Sequence, residues 1–347
     1  MRHNNLLFWC GLFISSLATA EDWTFGGHLK YQLEKSNIDN QYLNFRLTTE
    51  KRWGAWDVQI HYEVLTSYGD SKNTTVHNHR LFNFMEEFEN IEKFDTVQRL
   101  DRFFVGYNGE QLVIRLGQQA VTWGNGLIFH PLDIFNPFSP TAIDKDYKTG
   151  DDMVYGQWLF DSGDDLQMIF LPYSNPDTNH VENTQSSFAL KYHGNYQSQW
   201  DFDVLVARHF DDNILGFGFS KDLLEAVWRF DITLLKDRET ALSFVTNLDY
   251  SWSWFERNFY GFIEYFHNDS FLQNQDSLGG GIQVELTPLL NLYTNWIGNL
   301  HENSGIFQIR SIYDWLENVQ LIAWLDQPYS ESIVPERTMY LRLIYYF

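Results

Sequence analysis

Apolar and polar side chains alternate along most of this chain with a period of two, in short runs punctuated by turn-forming residues. That is the pattern of strands with one apolar and one polar face. The final run is the cleanest: Met339, Leu341, Leu343, Tyr345 and Phe347 share one face, and Thr338, Tyr340, Arg342, Ile344 and Tyr346 share the other. The same alternation places Trp23, Phe25, Leu29 and Tyr31 together, then Leu43, Phe45 and Leu47, then Trp56, Val58, Ile60, Tyr62 and Val64. Further runs are Val154, Trp158 and Phe160; Leu166, Met168 and Phe170; Trp200, Phe202, Val204 and Val206; and Leu242, Phe244, Leu248, Tyr250 and Trp252. Tight turns are expected at Trp53-Gly54, Asn108-Gly109, Ser162-Gly163-Asp164, Lys221-Asp222 and Thr287-Pro288, in alternation with connections that are often longer and polar.

The predicted fold is all-β: a transmembrane, antiparallel, up-and-down β-barrel of about 18 strands, with 16 as the alternative. The weak strands in this count lie near Phe217 and at Gly279 to Gly281. The polar face of the runs carries Arg46, Asp57, His61, Glu63, Arg115, Gln119, Asp201, Asp203, Arg229, Asp231, Arg310 and Arg342, with His28, Lys30 and Glu285. These are expected to form the lumen wall. An Arg or Lys on the lipid face near mid-membrane costs about 2–4 kcal/mol, so a slip of one residue is strongly opposed. Most of these charges are expected to pair across neighbouring strands, and some to guide solute.

The amino terminus agrees with export. Arg2 and His3 precede a short apolar stretch, Leu6 to Leu17, and Ala18-Thr19-Ala20 is a small-x-small cleavage site. Residues 1–20 read as a signal peptide and 21–347 as the barrel, with a mature chain starting at Glu21. A lone terminal Phe closing an amphipathic strand marks the segment that bacterial outer-membrane barrels present to the barrel-assembly machinery. The expected location is therefore the outer membrane of a Gram-negative bacterium. Cys10, the only cysteine, lies in the signal, so no disulfide or thiolate site is expected after cleavage. No later apolar run is long enough for a spanning helix.

Composition sharpens this picture. Aromatic residues make up 18% of the chain but hydrophobic residues only 44%, as when rings form girdles at the lipid–water boundaries around a polar lumen. The formal charge of −22 argues against nucleic acid as a partner. Much of the acid is expected on solvated loop faces: Glu86, Glu87, Glu89, Glu92 and Asp95, then Asp144, Asp146, Asp151 and Asp152. Outer-membrane lipid and lipopolysaccharide are the expected surroundings; the alternative reading of these acids is that divalent cations link them to lipopolysaccharide.

Two segments read as long loops, Tyr68 to Val97 and Gly124 to Asp151. The second contains Asn125-Gly126 and Asn136-Pro137 turns and three prolines, Pro131, Pro137 and Pro140. Leu127, Ile128, Phe129, Leu132, Ile134, Phe135 and Phe138 make it too apolar for a solvated surface loop. It is expected to fold inward, pack on the barrel wall and constrict the lumen. The candidate constriction residues are Trp123, Gly124, Asn125, Phe129, His130, Asp133, Phe135, Asn136 and Pro137.

The motif Arg-x-Gly-x-Gln, Trp-Gly, Asp-x-Phe-Asn-Pro, here Arg115, Gly117, Gln119, Trp123, Gly124, Asp133, Phe135, Asn136 and Pro137, resembles a group of proteobacterial porin-like outer-membrane barrels that is largely uncharacterised. The stretch from Asp144 to Met153 is similar to members of that group as well, so the resemblance spans about residues 100 to 170. It implies outer-membrane transport. Some relatives are linked to inner-membrane exporters of the resistance-nodulation-division type, which makes a periplasmic carrier and such an exporter further partners to consider.

Signatures of chemistry are scarce. There is no Gly-x-Ser-x-Gly elbow and no His-Glu-x-x-His motif. His77 and His79 are too few for a zinc site, and Glu63 with His61, or His209 with Asp211 and Asp212, are ordinary polar neighbours. Neither enzyme activity, nor a cofactor, nor a metal is expected. The leading expectation is a solute channel. The alternatives are an export conduit for a lipid-like or amphipathic cargo, and a plugged barrel acting as scaffold, adhesin or receptor.

Overall fold

The computed structural model describes residues 23–37, 39–69, 85–91, 93–142, 145–175, 180–182, 184–197, 199–236, 240–270, 273–330 and 336–347, with backbone alone at 85–91, 270 and 273–274. The expected signal and its cleavage site, the His77/His79 pair and Asp144 lie outside these residues.

Nineteen strands are present among the described residues. The first half comprises β1 (Trp23–Lys35), β2 (Asp39–Trp53), β3 (Trp56–Tyr68), β4 (Met85–Ile91), β5 (Phe94–Asn108), β6 (Leu112–Gln119), β7 (Asp151–Leu159), β8 (Asp165–Leu171), β9 (Ser187–Tyr196) and β10 (Trp200–His209). The second comprises β11 (Asp212–Leu223), β12 (Ala226–Lys236), β13 (Thr240–Trp254), β14 (Arg257–Ser270), β15 (Gln273–Thr287), β16 (Leu290–Asn299), β17 (Ser304–Leu316), β18 (Val319–Ser330) and β19 (Thr338–Tyr346). Apart from β4, each pairs with the strands next to it in the chain in antiparallel register, and β19 returns to β1, from His28↔Tyr346 to Lys35↔Met339. β4 pairs only with β5, around Met85↔Arg99, while β3 pairs directly with β5 on its other side. β4 is thus an accessory strand, and the closed ring has the other eighteen, not sixteen.

Both stretches that read weakly are full strands: Phe217 lies in β11 and Gly279 to Gly281 in β15. Three expectations need correction. Lys221 and Asp222 belong to β11, and the chain turns one step later, where Leu224 takes a positive φ of 61°. The loop from Tyr68 to Val97 is shorter than expected, because β5 begins at Phe94 and β4 is ordered between them. Asp95, Asp151 and Asp152 are not on solvated loop faces; they are buried at strand ends. Ladder hydrogen bonds reach further than residue type alone suggests, and Asp95 and Asp151 lie on the inner face of their strands with Asp101 and Tyr155.

The alternation sorts side chains as lipid and water demand. Leu116, Leu215 and Ile263 stand outside, each more than half exposed, while Arg46, Asp231 and Glu264 on the inner face are almost fully buried. Rings cluster on the outside, as where Trp252 stacks on Phe259 at 5.4 Å. Phe347 completes the closure beyond β19: Gly27 N–H donates to its carbonyl at 3.0 Å and its own N–H donates to Gly27 O at 3.1 Å. Its ring lies beside Phe45 at 6.0 Å and over Gly27, where a Cβ would come within 2.8 Å of it.

Two outcomes are expected. Ile263→Arg should destabilise the folded barrel by about 2–4 kcal/mol, whereas Asn291→Arg, on the inner face of β16, should be tolerated; equal loss of the heat-modifiable band in both would contradict the register. Phe347→Asp should lower the folded yield on the same gels, and an unchanged yield would show that the closing contacts at Gly27 are dispensable.

Candidate functional site

Residues 120–150 connect β6 to β7 and, apart from two undescribed positions, carry no regular structure. A segment without a backbone ladder must satisfy its N–H and C=O groups elsewhere if it is to be buried. This one does so on the barrel wall. The Glu264 carboxylate on β14 accepts the backbone N–H of Leu127 at 2.6 Å, of Ile128 at 2.9 Å and of Phe129 at 2.8 Å. Asp231 on β12 accepts Asn125 twice, from its backbone N–H at 2.5 Å and its side-chain amide at 2.7 Å. Between them Asn247 on β13 donates to Asn125 O at 3.2 Å and to Glu264 at 3.1 Å. Charge-assisted bonds of this kind contribute about 1.5–3 kcal/mol each.

Apolar contacts follow the same line. Phe129 stacks on Phe266 with ring centroids 4.3 Å apart and planes 3° from parallel. Leu132 sits over the glycines of β11: a Cβ at Gly216 would lie 2.5 Å, and one at Gly218 2.8 Å, from its methyl carbons. Ile128 enters β15 at Gly279 in the same way, 2.3 Å from a would-be Cβ. The glycines that weakened β11 and β15 as sequence patterns are therefore sockets for the loop.

Trp123 is buried against Phe135 and donates its indole N–H to Gln167 at 2.7 Å. Gly124 has φ +98° and passes so near Asp231 that a Cβ would lie 3.0 Å from the carboxylate, so both conformation and space require glycine. Asp133 forms a buried ion pair with Lys148 at 2.5 Å, and the same ammonium donates to Val121 O at 2.6 Å. Burial raises the Asp133 carboxyl and lowers the Lys148 ammonium, each opposed by its partner's charge. Burial, reinforced by Lys145 and Lys148, lowers His130 to about 4, so its ring is neutral at neutral pH. Phe135 meets His209 edge-on at 5.5 Å, Asn136 donates to Asp151, and Pro137 is exposed.

The predicted wall residues divide into groups. Arg46 bridges Asp101 at 2.5 Å and Glu63 at 2.9 Å, with its guanidinium 3.9 Å from the Tyr147 ring centroid. Glu63 also pairs with Arg99, and His61 approaches the Tyr147 ring at 6.1 Å. Asp57 accepts Asn108 at 2.6 Å. Arg115 lies between the Phe104 and Tyr155 rings, and Gln119 donates to Arg115 O and Met153 O. Asp203 accepts from Lys191 and His193, both at 3.0 Å, while Asp201 accepts Asn195 at the exposed rim. Arg229 pairs with Asp249, Arg310 covers Tyr293 at 4.6 Å, and Arg342 binds Gln32 and covers Trp324 at 4.9 Å. Of the wall residues named from the sequence, Asp231 anchors the loop through Asn125, and Lys30 does so through an ion pair with Asp146 at 3.0 Å.

Sequence reasoning missed Glu264, Asn247, Lys148 and Tyr147. The signal at Glu264 was present: it is the one acid on an inner face otherwise made of Tyr260, Phe262 and Phe266. The loop leaves a cavity on either side of the lumen. One, of about 390 Å³, is bordered by Lys30, Arg46, Arg99, Arg342 and Tyr147; the other, of about 430 Å³, lies between the loop and β14 to β18.

No family model matches the sequence, and no curated protein is significantly similar to it. Solved structures are similar in fold. The outer-membrane protein OpdK of Pseudomonas aeruginosa aligns with TM-score 0.60 at 9% identity, covering 94% of this chain and 99% of that one. A BenF-like porin from Pseudomonas fluorescens aligns with TM-score 0.59 at 12% identity, covering 94% and 99%. OccAB4 of Acinetobacter baumannii aligns with TM-score 0.60 at 8% identity, covering 94% and 97%. The chain shares the overall fold of these barrels.

Glu264→Ala combined with Asp231→Ala should free the loop while the barrel closes normally. Limited proteolysis should then cut within residues 120–150 of a protein that keeps its heat-modifiable mobility. Continued resistance would show that the apolar sockets hold the loop without the two carboxylates.

Proposed function

We propose that this protein is an outer-membrane, porin-like channel through which solutes cross, with residues 120–150 as its constriction. The observation that carries this reading is the size of the ring. Eighteen strands enclose more space than inward side chains fill, and barrels of 16–18 strands leave an aqueous passage. Here that passage is narrowed by a loop bonded to Glu264 and Asp231 on one part of the wall and to Lys30 on another, beside a cavity bordered by Lys30, Arg46, Arg99 and Arg342. Charges on such a wall act on a solute through a lumen only partly shielded by water. The porin-like structures of similar fold support the same reading. The surroundings would be phospholipid and lipopolysaccharide, and the β19 end would be the segment offered to the assembly machinery.

Purified protein in a planar bilayer should show discrete, voltage-tolerant conductance steps. Deleting Asn125 to Ser139 should raise the step size while the barrel still assembles. A folded parent that stays closed at all voltages would refute the channel reading and favour a plugged barrel. A deletion variant that conducts like the parent would remove the loop from the constriction.

A further inference from the structure

The connections at the end of the barrel opposite the 120–150 loop are short, as periplasmic turns are. Four of them sit side by side along β11 to β18 and join their strands through Leu224-Glu225, Phe255-Glu256, Pro288-Leu289 and Glu317-Asn318. In three the chain repeats one pattern, two large apolar residues and then a glutamate: Leu223-Leu224-Glu225, Trp254-Phe255-Glu256 and Trp315-Leu316-Glu317. Leu224 is fully exposed and Phe255 three-quarters exposed. Both take positive φ, 61° and 48°, at positions where hairpins favour Asn, Asp or Gly. Water and backbone alike disfavour these side chains, so a free tip does not account for them.

Lipid does not account for them either. On the other arc of this end the tips are small or polar, as at Gly54-Ala55 and Ser162-Gly163, and the exposed rings Trp53, Trp56 and Tyr196 continue the outward alternation of their strands. Leu224 and Phe255 lie beyond the last ladder pairs, Leu223↔Ala226 and Trp254↔Arg257, each followed by a carboxylate. Between the last two turns lies a groove of about 420 Å³, with Leu289, Trp315, Leu316, Val319 and Tyr346 as its apolar lining and Asp314, Glu317 and Gln320 as its polar lining. It is preformed: Asp314 N–H donates to Leu289 O at 2.9 Å, and Tyr346 N–H to Asn318 O at 2.8 Å. Residues 221–226, 253–257, 285–290 and 314–318 hold six carboxylates against two cations, Lys221 and Arg257, and Lys221 lies over the Trp200 ring at 3.9 Å. Apolar tips set among acids are repelled by an anionic lipid surface and fit apolar residues flanked by cations.

We propose that this arc is a docking surface for a periplasmic protein whose contact face is an apolar stripe flanked by Lys or Arg. The groove takes an apolar anchor, Leu224 and Phe255 extend the apolar contact along the rim, and Glu225, Glu256 and Glu317 pair with the flanking cations. The inference takes its periplasmic side from the outer-membrane reading.

The test uses the purified barrel in phosphatidylcholine nanodiscs, with empty nanodiscs as the blank. Two fluorescein-labelled amphipathic helical peptides are titrated by anisotropy, one with a leucine stripe flanked by lysines, the other with glutamates in place of the lysines. The lysine peptide should bind about tenfold or more tightly than the glutamate peptide. Leu224→Asn with Phe255→Asn suits the turn backbone, so the barrel should fold, and binding of the lysine peptide should weaken about tenfold or more. Glu225→Lys, Glu256→Lys and Glu317→Lys together should reverse the preference. The inference is overturned if the two peptides bind alike, or if the Asn pair leaves binding unchanged. It is also overturned if a bimane on Phe255→Cys is quenched by brominated lipid in liposomes, which would make these tips membrane anchors. In cells, Leu224→Cys should resist a bulky maleimide until the outer membrane is permeabilised. Reaction in intact cells would sink the orientation, and with it the periplasmic partner, while the peptide-binding surface would stand.

Discussion

Every backbone N–H and C=O facing hydrocarbon must have a partner inside the protein, because water is absent there and an unmade bond costs several kcal/mol. The rest of this structure follows from that requirement. It forces the strands to close, which they do where β19 and Phe347 meet β1 at Gly27. Closure removes the edges of the eighteen-stranded ring, and it allows one face of each strand to be apolar and the other charged. The lumen charges then solve their own burial by pairing, as Arg46 does with Asp101 and Glu63.

Among the described residues, the inward loop is the one long stretch that meets this requirement without a ladder. Irregular backbone is tolerated at membrane depth where protein or a lined cavity surrounds it. Here two wall carboxylates accept its N–H groups, and glycines on β11 and β15 receive its leucine and isoleucine. Wall and loop are thus parts of one construction. Asp231 and Glu264 satisfy N–H groups that the docked loop would otherwise bury unbonded, and the loop in turn covers both carboxylates. The same docking divides the lumen, leaving a cationic cavity on one side and an aromatic, amide-lined cavity on the other.

Much of the candidate site was legible because period-two patterning carries its own energetic sign. Arg115, Arg229 and Arg342 had to face inward, since their neighbours Leu116, Phe230 and Leu343 suit lipid. The inward course of the loop was legible from apolar residues that no water-exposed loop retains. Asp151 and Asp152 were misread as solvated because acidic residues beside a glycine and a threonine resemble loop surface. Only the strand that starts there, with Asn136 and Tyr173 beside Asp151, accounts for their burial. Glu264 went unnoticed because its role depends on partners more than a hundred residues away in the chain, and alternation says which face a residue takes but not what crosses the lumen to meet it.

The amino-acid sequence by itself determined the all-β class, the closing terminal aromatic, the face of each strand and the presence of an inward-packing segment. All of these rest on local periodicity and on the cost of placing charge in hydrocarbon. Tertiary structure alone settled eighteen strands over sixteen and put β4 outside the ring, and it alone decided that Gly216, Gly218 and Gly279 are sockets rather than interruptions and that Glu264 and Asp231 hold the loop. These depend on contacts between segments far apart in the chain. Such contacts exist only once the sheet has closed and brought its opposite walls within reach of one loop.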